Sequence, residues 1–226
     1  MKKLSIVIPA YNEAKTIQNV LDAVLKILIK DWEKEIIVVN DASTDETLEV
    51  LAEYKNKIKI VSNKQNLGKG TAVCLGLESA TGDYILIQDA DLEYNPEEIP
   101  SLIDALQRGA GDIIFGSRNL HHIERKGMYI PRFGVWLITK EFNMLYGTSL
   151  TDIWTCYKLF PRTVAKYFSP GKFDSELLFS ARIVKNGYKI FEVPISHKPR
   201  SVAEGKKIRY RDGIKGLIIL LAERFR

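Results

Sequence analysis

Two aspartates separated by one residue are the first feature of this sequence that could do chemistry. Asp89 and Asp91 stand in the stretch "LIQDADLEYNP", directly after an apolar run. In an extended backbone residues i and i+2 point the same way, so both carboxylates could hold one divalent cation, directly or through water. Hard oxygen ligands favour Mg²⁺ or Mn²⁺ over zinc, and the histidines lack ligand spacing with either cysteine. The alternative is that both aspartates are turn residues or helix caps.

Asp41 and Lys69 are two further charged residues that could belong to a site. Asp41 comes directly after "EIIVVN", where an acceptor-only carboxylate could bind the ring N–H of a nucleobase. Ser43 and Glu46 could instead form a capping box there. Lys69 lies in "NLGKGTAV", which matches neither a phosphate-binding P-loop nor a dinucleotide-binding loop. We expect Lys69 to lie at the start of a helix and to face the other polar loops.

Short strands alternating with helices must position these residues. Strands covered on both faces are β-branched and nearly all apolar, and five segments fit this description: 4–8, 35–39, 58–61, 84–87 and 112–115. Apolar spacing predicts a helix over Ile17–Leu28 with Asn12 as its cap. In "NPEE", Asn95 can cap the next helix and Glu98 can close a capping box. This alternation predicts an α/β fold with an open, mostly parallel central sheet flanked by helices.

Polar clusters come directly after each of the five predicted strands. They read "PAYNE", "NDASTDE", "NKQNLGKG", "QDAD" and "GSRN". In open α/β sheets ligands bind beyond the carboxyl ends of the strands, so the sequence predicts one site built from five loops.

The second half of the chain is less regular. We expect helices over 132–147, 174–187 and 210–225, and strands over 156–160 and 188–195. No repeat, low-complexity segment or linker separates the two halves, so residues 1–226 are predicted to form one domain.

The composition is that of an ordinary globular protein, with 226 residues, 46% hydrophobic and 27% charged. The two cysteines match no paired spacing, and the start lacks a secretory signal, so a reducing cytoplasm is the simplest compartment. Six basic residues and one glutamate between Lys198 and Arg211 account for the whole net charge of +5. Such a segment suits phosphate groups, an anionic membrane surface or nucleic acid, or it is a solvated loop.

Several segments, taken in order, resemble the inverting family 2 glycosyltransferases. They are "SIVIPAYNEAKTI", "VVNDASTDET", "NLGKGTAVCLGLESATGDYILIQDADLEYNPEEI", "FGSR", "TDIWTCYKLF" and "YKIFEVPISHKPRSVAEGKKIRYRDGIKGL". The chain is similar to the branch with dolichol-phosphate mannose synthases and bacterial polyprenyl-phosphate sugar transferases. The resemblance implies a nucleotide-binding glycosyltransferase type A fold. Residues 1–118 would bind the nucleotide sugar and residues 119–226 the acceptor.

The resemblance also implies roles for individual residues. Pro9, Tyr11 and Glu13 would line the base and ribose pocket, Asp41 would contact the base, and Lys69 and Arg118 would add donor contacts. Asp89 would lie towards the ribose and phosphates, and Asp91 would be the principal ligand of Mg²⁺ or Mn²⁺. Arg200, Lys206 and Lys207, with Arg209 as a lesser candidate, would contact pyrophosphate or acceptor phosphate in a lid over the donor, a GDP- or UDP-sugar.

The acceptor decides whether the reaction needs a general base. A sugar hydroxyl must lose a proton during attack, whereas a lipid phosphate, with a second pKa of about 6, is already anionic. Asp152 and Glu176 are the candidates for a base or for an acceptor-positioning group. Either could instead cap a helix or pair with the basic segment. The chain lacks the Asp-Pro-Thr-Ser-Gly-Phe segment of many dolichol-phosphate sugar synthases, which leaves a glycan, protein or small-molecule acceptor open.

Two apolar stripes could bring the chain to a lipid acceptor. Ile214, Leu217, Ile218 and Leu221 share one face of the last predicted helix, and Phe133, Trp136, Leu137 and Met144 enrich an earlier one. Apolar surface beside basic charge suits peripheral binding to an anionic membrane, although both stripes could pack on the core. No nucleic-acid partner is expected. A sugar nucleotidyltransferase and a non-catalytic nucleotide-sugar-binding protein are the other functions considered.

Overall fold

One mixed sheet forms the centre of the protein. The computed structural model describes residues 1–120, 129–172, 174–200 and 210–226, without the side chains at 129–133, 210–212 and 214. The strands in these residues are β1 Lys2–Ala10, β2 Trp32–Asn40, β3 Lys59–Ser62, β4 Tyr84–Ile87, β5 Ile113–Ser117, β6 Lys158–Pro161 and β7 Ile190–Pro194. Their order across the sheet is β3-β2-β1-β4-β6-β5-β7.

Helices flank the sheet on both faces. They are α1 Ile17–Lys26, α2 Thr47–Ala52, α3 Lys69–Ser79, α4 Ile99–Gln107, α5 Tyr129–Tyr146, α6 Asp174–Lys185 and α7 Tyr210–Arg224, with 3-10 turns at Pro96–Glu98 and Arg162–Tyr167. The predicted α/β fold, with a mostly parallel sheet flanked by helices, is therefore confirmed.

The direction of β6 has a consequence for the site. Strands β1 to β4 pair in parallel, whereas β6 lies between β4 and β5 and runs antiparallel to both. Strands β1 to β5 therefore all point the same way, and β7 is parallel to β5. Their carboxyl ends meet at one edge of the sheet, as predicted, and the segment that leads into β6 arrives at that same edge.

Burial on both faces explains the continuous apolar strands. In β1, Leu4, Ile6 and Ile8 pack into the core beneath α1 and α4, while Val7 packs into the core on the opposite face with α3. All four side chains are fully buried. A strand in this position needs apolar residues at successive positions, because neither face is exposed to water.

Three helix caps that the sequence allows are not formed, because groups distant in sequence bind their polar side chains. Asn12 has a φ of 55° and bonds Thr44, so α1 begins only at Ile17. Ser43 accepts from the backbone N–H of Asn12 instead of closing a box with Glu46. Glu98 accepts from the N–H of Ser196, although Asn95 does cap its turn by accepting from the N–H of Glu97.

The two apolar stripes are divided between core and surface. Trp136 and Met144 on α5 are 52% and 79% exposed, and Ile218 and Leu221 on α7 are 64% and 48% exposed. Leu217 packs against the core instead. The side chains of Phe133 and Ile214 lie outside the described residues. In the part of the chain that the structure describes, no helix combines the length and apolar character needed to span a bilayer.

Candidate active site

The turn after β4 carries the two aspartates, and its backbone is not extended. Leu92, the residue after Asp91, has a φ of 60°, and Oδ1 of Asp91 accepts from the N–H of Glu93 at 3.1 Å. The chain therefore turns directly after Asp91, and the shared face of Asp89 and Asp91 stays a prediction. The turn nevertheless keeps the two carboxylates close enough to interact electrostatically.

Asp91 is in surroundings that disfavour a negative charge. Burial, together with the carboxylates of Asp89 and Glu93, raises the pKa of Asp91 to about 7. Within the described ranges, Asp91 forms no ion pair with a lysine or arginine side chain. A bound cation would offset both the burial and the like charges, so this carboxylate fits the role of a metal ligand.

The two aspartates suit a metal ion that takes its other ligands from water or substrate. The residues described contain no group of three or more His, Cys, Asp or Glu side chains placed to hold a metal ion. Mg²⁺ commonly binds one or two protein carboxylates and completes its shell with water and substrate phosphates. The pair Asp89 and Asp91 fits such a partial shell better than an all-protein metal cage.

Lys69 makes the main contact to Asp89. It is the first residue of α3, and its Nζ lies 2.5 Å from Oδ1 of Asp89 and 3.5 Å from Oε1 of Glu176. Burial opposes the charge of this ammonium, but Asp89 and Glu176 outweigh it and hold the pKa of Lys69 well above its usual value. Lys69 is therefore a fixed cation beside the aspartate pair. Its position at the start of a helix, facing the other polar loops, is the predicted one.

Glu176 has a second cationic partner, Lys158, which the sequence analysis did not identify. Nζ of Lys158 donates to Oε2 of Glu176 at 2.8 Å, and neither side chain is more than 1% exposed. Glu176 lies in the first turn of α6, and Lys158 is the first residue of β6. Neither partner belongs to the basic segment, so the suggested pairing of Glu176 with that segment is not what the described residues show.

Arg118 and Asp152 form a bidentate ion pair. Nε and Nη2 of Arg118 donate to Oδ2 and Oδ1 of Asp152 at 2.6 and 2.7 Å. Burial opposes ionisation of Asp152, but the Arg118 guanidinium outweighs it and holds the pKa of Asp152 below its usual value. Because β6 is antiparallel to β5, the segment before β6 meets the segment after β5. This geometry favours positioning over proton transfer, and a catalytic role for Asp152 stays a prediction.

Asp41 holds the loop between β3 and α3. Its Oδ1 accepts from the side chain of Asn63 at 2.6 Å and the N–H of Leu67 at 3.1 Å, and its Oδ2 accepts from the N–H of Gly68 at 2.8 Å. These bonds fix the loop that leads to Lys69. Base recognition by Asp41 stays a prediction.

Arg200 joins the segment after β7 to the loops after β1 and β4. Its Nη2 donates to Oε2 of Glu13 at 2.7 Å and to Thr16, and its Nε donates to the carbonyl of Asp91 at 3.0 Å. Glu93 holds the same segment, because it accepts from the N–H of Arg200 and lies 3.0 Å from His197. Glu93 therefore anchors this segment.

Two other residues predicted to bind the nucleotide sugar lie at the same edge of the sheet. Pro9 is near the end of β1, and Tyr11 follows that strand directly, both partly buried. Lys206, Lys207 and Arg209, and with them the predicted lid, lie outside the described residues.

Comparison with known proteins decides the family. The sequence model of glycosyl transferase family 2 matches residues 5–168, which is more than half of the chain. The chain belongs to this family. The match includes most of β1, all of β2 to β6, the aspartate turn, Arg118 and Asp152.

Individual relatives in family 2 agree with this assignment. The chain is 37% identical over 118 residues to a dolichol-phosphate mannosyltransferase of Pyrococcus furiosus, a match of 51% of this chain and 33% of the relative. It is 32% identical over 225 residues to the low-salt glycan biosynthesis hexosyltransferase Agl6 of Haloferax volcanii, covering 96% and 53%. The chain thus spans only about a third to a half of the length of these two relatives.

A solved structure shares the fold of this family 2 chain. Glucosyl-3-phosphoglycerate synthase of Mycobacterium tuberculosis, crystallised with Mn²⁺, UDP and phosphoglyceric acid, superposes with a TM-score of 0.75. The superposition covers 99% of this chain and 78% of the mycobacterial chain at 21% sequence identity. The likeness shows a shared fold.

One site residue was missed although the sequence contained a signal for it. Lys158 interrupts the apolar segment "CYKLF", and a lysine is rarely fully buried without a partner. The partner could not be identified from spacing, because Glu176 reaches it only through the packing of α6 against the sheet.

Proposed function

We propose that the chain transfers a sugar from a nucleoside-diphosphate sugar, a GDP- or UDP-sugar, to a polyprenyl phosphate with inversion at the anomeric carbon. Membership of glycosyl transferase family 2 supports sugar transfer. The observation that carries the proposal is Asp91, a partly buried carboxylate beside Asp89 and Glu93 at the carboxyl edge of the sheet. It lies at the point where cations from two distant segments, Lys69 and Arg200, converge.

The donor would occupy this edge with its diphosphate next to the aspartate turn. Asp89 and Asp91 would hold Mg²⁺ or Mn²⁺, which when bound supplies positive charge against the diphosphate that leaves. Lys69 and Arg200 are fixed by their own ion pairs, so they supply further positive charge without reorganisation. Glu13 would orient Arg200. Asp41 would hold the loop before Lys69 in place beside the nucleobase of the donor.

The acceptor side is consistent with a nucleophile that is already ionised. Asp152 is engaged by Arg118, and Glu176 is engaged by Lys158 and Lys69, so both candidate bases are committed to ion pairs. A polyprenyl phosphate needs no base, since its attacking oxygen is anionic near neutral pH. The printed name of the Pyrococcus furiosus relative, a dolichol-phosphate mannosyltransferase, supports the same acceptor class.

Contact with a membrane surface would bring the enzyme to this acceptor. Trp136 and Met144 on α5 and Ile218 on α7 expose apolar surface, and Lys140 and Lys215 on the same helices are exposed. Tyr146 on α5 donates to the carbonyl of Leu220 on α7, so the two helices are in contact. Apolar groups beside ammonium groups suit peripheral binding to anionic lipid.

The proposal is tested by incubating the chain with Mn²⁺ or Mg²⁺, a panel of GDP- and UDP-sugars, and one acceptor at a time. The acceptors are a polyprenyl phosphate, phosphoglycerate and a glycan primer. Nucleoside diphosphate released only with the polyprenyl phosphate, together with a sugar-1-phosphoryl lipid of inverted configuration by NMR, supports the proposal. Transfer to another acceptor corrects the acceptor class. Pyrophosphate release instead would indicate nucleotidyl transfer, and donor binding without any product would indicate a binding protein.

A further inference from the structure

Four charged side chains of alternating sign form a chain through the buried part of the site. Asp89 pairs with Lys69 at 2.5 Å, Lys69 lies 3.5 Å from Glu176, and Glu176 pairs with Lys158 at 2.8 Å. The four residues come from the turn after β4, the start of α3, the first turn of α6 and the start of β6. The chain of charges therefore links the nucleotide-binding half to the second half.

Lys158 is at the inner end of this chain and is fully buried. Its Nζ donates to the carbonyl of Thr155 and to Glu176, and it lies 4.9 Å from the ring centre of Phe115. A cation enclosed in this way does not reach a bound nucleotide sugar itself. Any influence on the donor must pass through Glu176.

Glu176 competes with Asp89 for Lys69. Its Oε1 is buried and has no hydrogen-bond partner among the described residues, and Lys69 is the cation that lies 3.5 Å from it. Its Oε2 is neutralised by Lys158. While Lys158 neutralises Glu176, Lys69 lies closer to Asp89 than to Glu176.

We propose that Lys158 is a positioning residue for the donor site: by neutralising Glu176, it leaves Lys69 on Asp89, where the ammonium faces the donor diphosphate. The inference rests on the proposed function, because it takes Asp89 as a metal ligand and Lys69 as a donor contact. Without Lys158, Glu176 draws Lys69 away from Asp89. Asp89 then becomes a stronger metal ligand, while the donor loses a cation.

The test is Lys158→Met in the full chain, with Mn²⁺ and UDP or GDP binding measured by calorimetry and the donor KM measured in steady state. We expect Mn²⁺ alone to bind at least about threefold tighter and the donor KM to rise about tenfold, since partners of metal ligands commonly change affinity by such factors. Lys34→Met is the matched control, because Lys34 donates to backbone carbonyls at the end of α1. Neither quantity should change in that variant.

The double variant Lys158→Met/Glu176→Gln separates this role from packing. It removes the competing carboxylate, and replacing both partners of a buried pair is commonly tolerated. We expect its Mn²⁺ affinity and donor KM to return to within about twofold of the wild type. If Lys158→Met does not fold, Glu176→Gln alone provides the test, and it should bind Mn²⁺ no more tightly than the wild type.

Three results overturn the inference. They are unchanged Mn²⁺ and donor binding in Lys158→Met, a double variant that keeps the raised KM, and tighter Mn²⁺ binding in Glu176→Gln. A wild type that binds no nucleoside diphosphate with Mn²⁺ overturns the proposed function as well. Wild-type binding with an unaffected Lys158→Met overturns the positioning role alone.

Discussion

Arg200 Nη2 lies 2.7 Å from Oε2 of Glu13, a contact that joins residues 187 positions apart in the chain. The same guanidinium donates to the carbonyl of Asp91, so one side chain ties the segment after β7 to the loops after β1 and β4. The contact is possible because β7 runs parallel to β5, which brings its carboxyl end to the site edge. Arg200 is thus placed to shape the aspartate turn, and in the proposed function it would also contact the donor diphosphate.

Replacing Arg200 should affect turnover more than stability. We expect Arg200→Ala to lower kcat/KM by a factor on the order of 10² because the loss of a preorganised cation raises the barrier to diphosphate departure. The matched control is Lys198→Ala, since Lys198 is basic, exposed and only two residues away. Steady-state kinetics and thermal unfolding measure both effects. Normal kinetics in Arg200→Ala, or an equal loss in Lys198→Ala, would contradict the role of Arg200.

Removing the carboxylate of Asp91 should remove most of the stabilisation by metal. A ligand that binds only the native state raises its stability, so Mn²⁺ should increase the Tm of the wild type. Asp91→Asn should lose most of that increase, and its activity should fall by a factor on the order of 10² or more. Asp45→Asn is the control, since Asp45 lies outside the aspartate turn and accepts from Ala14 and Thr47. Equal Mn²⁺ shifts in wild type and Asp91→Asn would contradict the assignment of the metal.

Glu35, at the amino-terminal edge of the sheet, should make the free energy of unfolding depend on pH. Glu35 accepts from Ser5, Thr81 and Lys3, and although burial opposes its charge, these bonds lower its pKa from 4.5 to about 2. Because the folded value is the lower one, the stabilisation is full above about pH 5 and is lost as the pH falls towards 2.

Glu35→Gln tests this term. We expect a lower free energy of unfolding at pH 7 by about 1 kcal/mol, after allowing for solvent screening of a partly exposed group. The difference from the wild type should shrink as the pH falls from about 5 to 2 in urea titrations. Turnover should not change, because Glu35 lies at the edge of the sheet opposite the site. A difference that stays constant over this range contradicts the assigned pKa.

The exposed apolar groups of α5 and α7 should support binding to anionic vesicles. We expect Trp136→Ser/Ile218→Ser to weaken cosedimentation with such vesicles by a factor of about ten, since less apolar surface enters the interface. Leu28→Ser is the matched control, because Leu28 is 91% exposed but lies after α1, away from both helices. Wild-type protein that stays in the supernatant, or an equal loss in Leu28→Ser, would contradict peripheral binding through these helices.

The strands, and the edge of the sheet at which the site residues meet, could be predicted from the sequence. Segment 84–87 is a strand as predicted, because consecutive β-branched and apolar residues fit a position buried on both faces. Asn12, Ser43 and Glu98 do not form the local caps that their spacing allows, because partners distant in sequence bind their polar groups. Local spacing does not encode which distant group will compete for a side chain.

The ion pairs of the site were not predictable for the same reason. Arg118 and Asp152 were each predicted as site residues, but their contact depends on β6 running antiparallel between β4 and β5. The crossover that places β6 there has no signature in the residues of β6. Lys158 could have been singled out as a lone cation in an apolar strand, but its partner required the packed position of α6.

The most direct measurement of the central claim is mass spectrometry of the lipid fraction after incubation of the chain with Mn²⁺, nucleotide sugars and a polyprenyl phosphate. The account predicts that one donor yields a polyprenyl phosphate heavier by one sugar residue, together with an equal amount of nucleoside diphosphate. It also predicts that Asp91→Asn yields neither product. No lipid product with any donor, or an equal yield from Asp91→Asn, would contradict it.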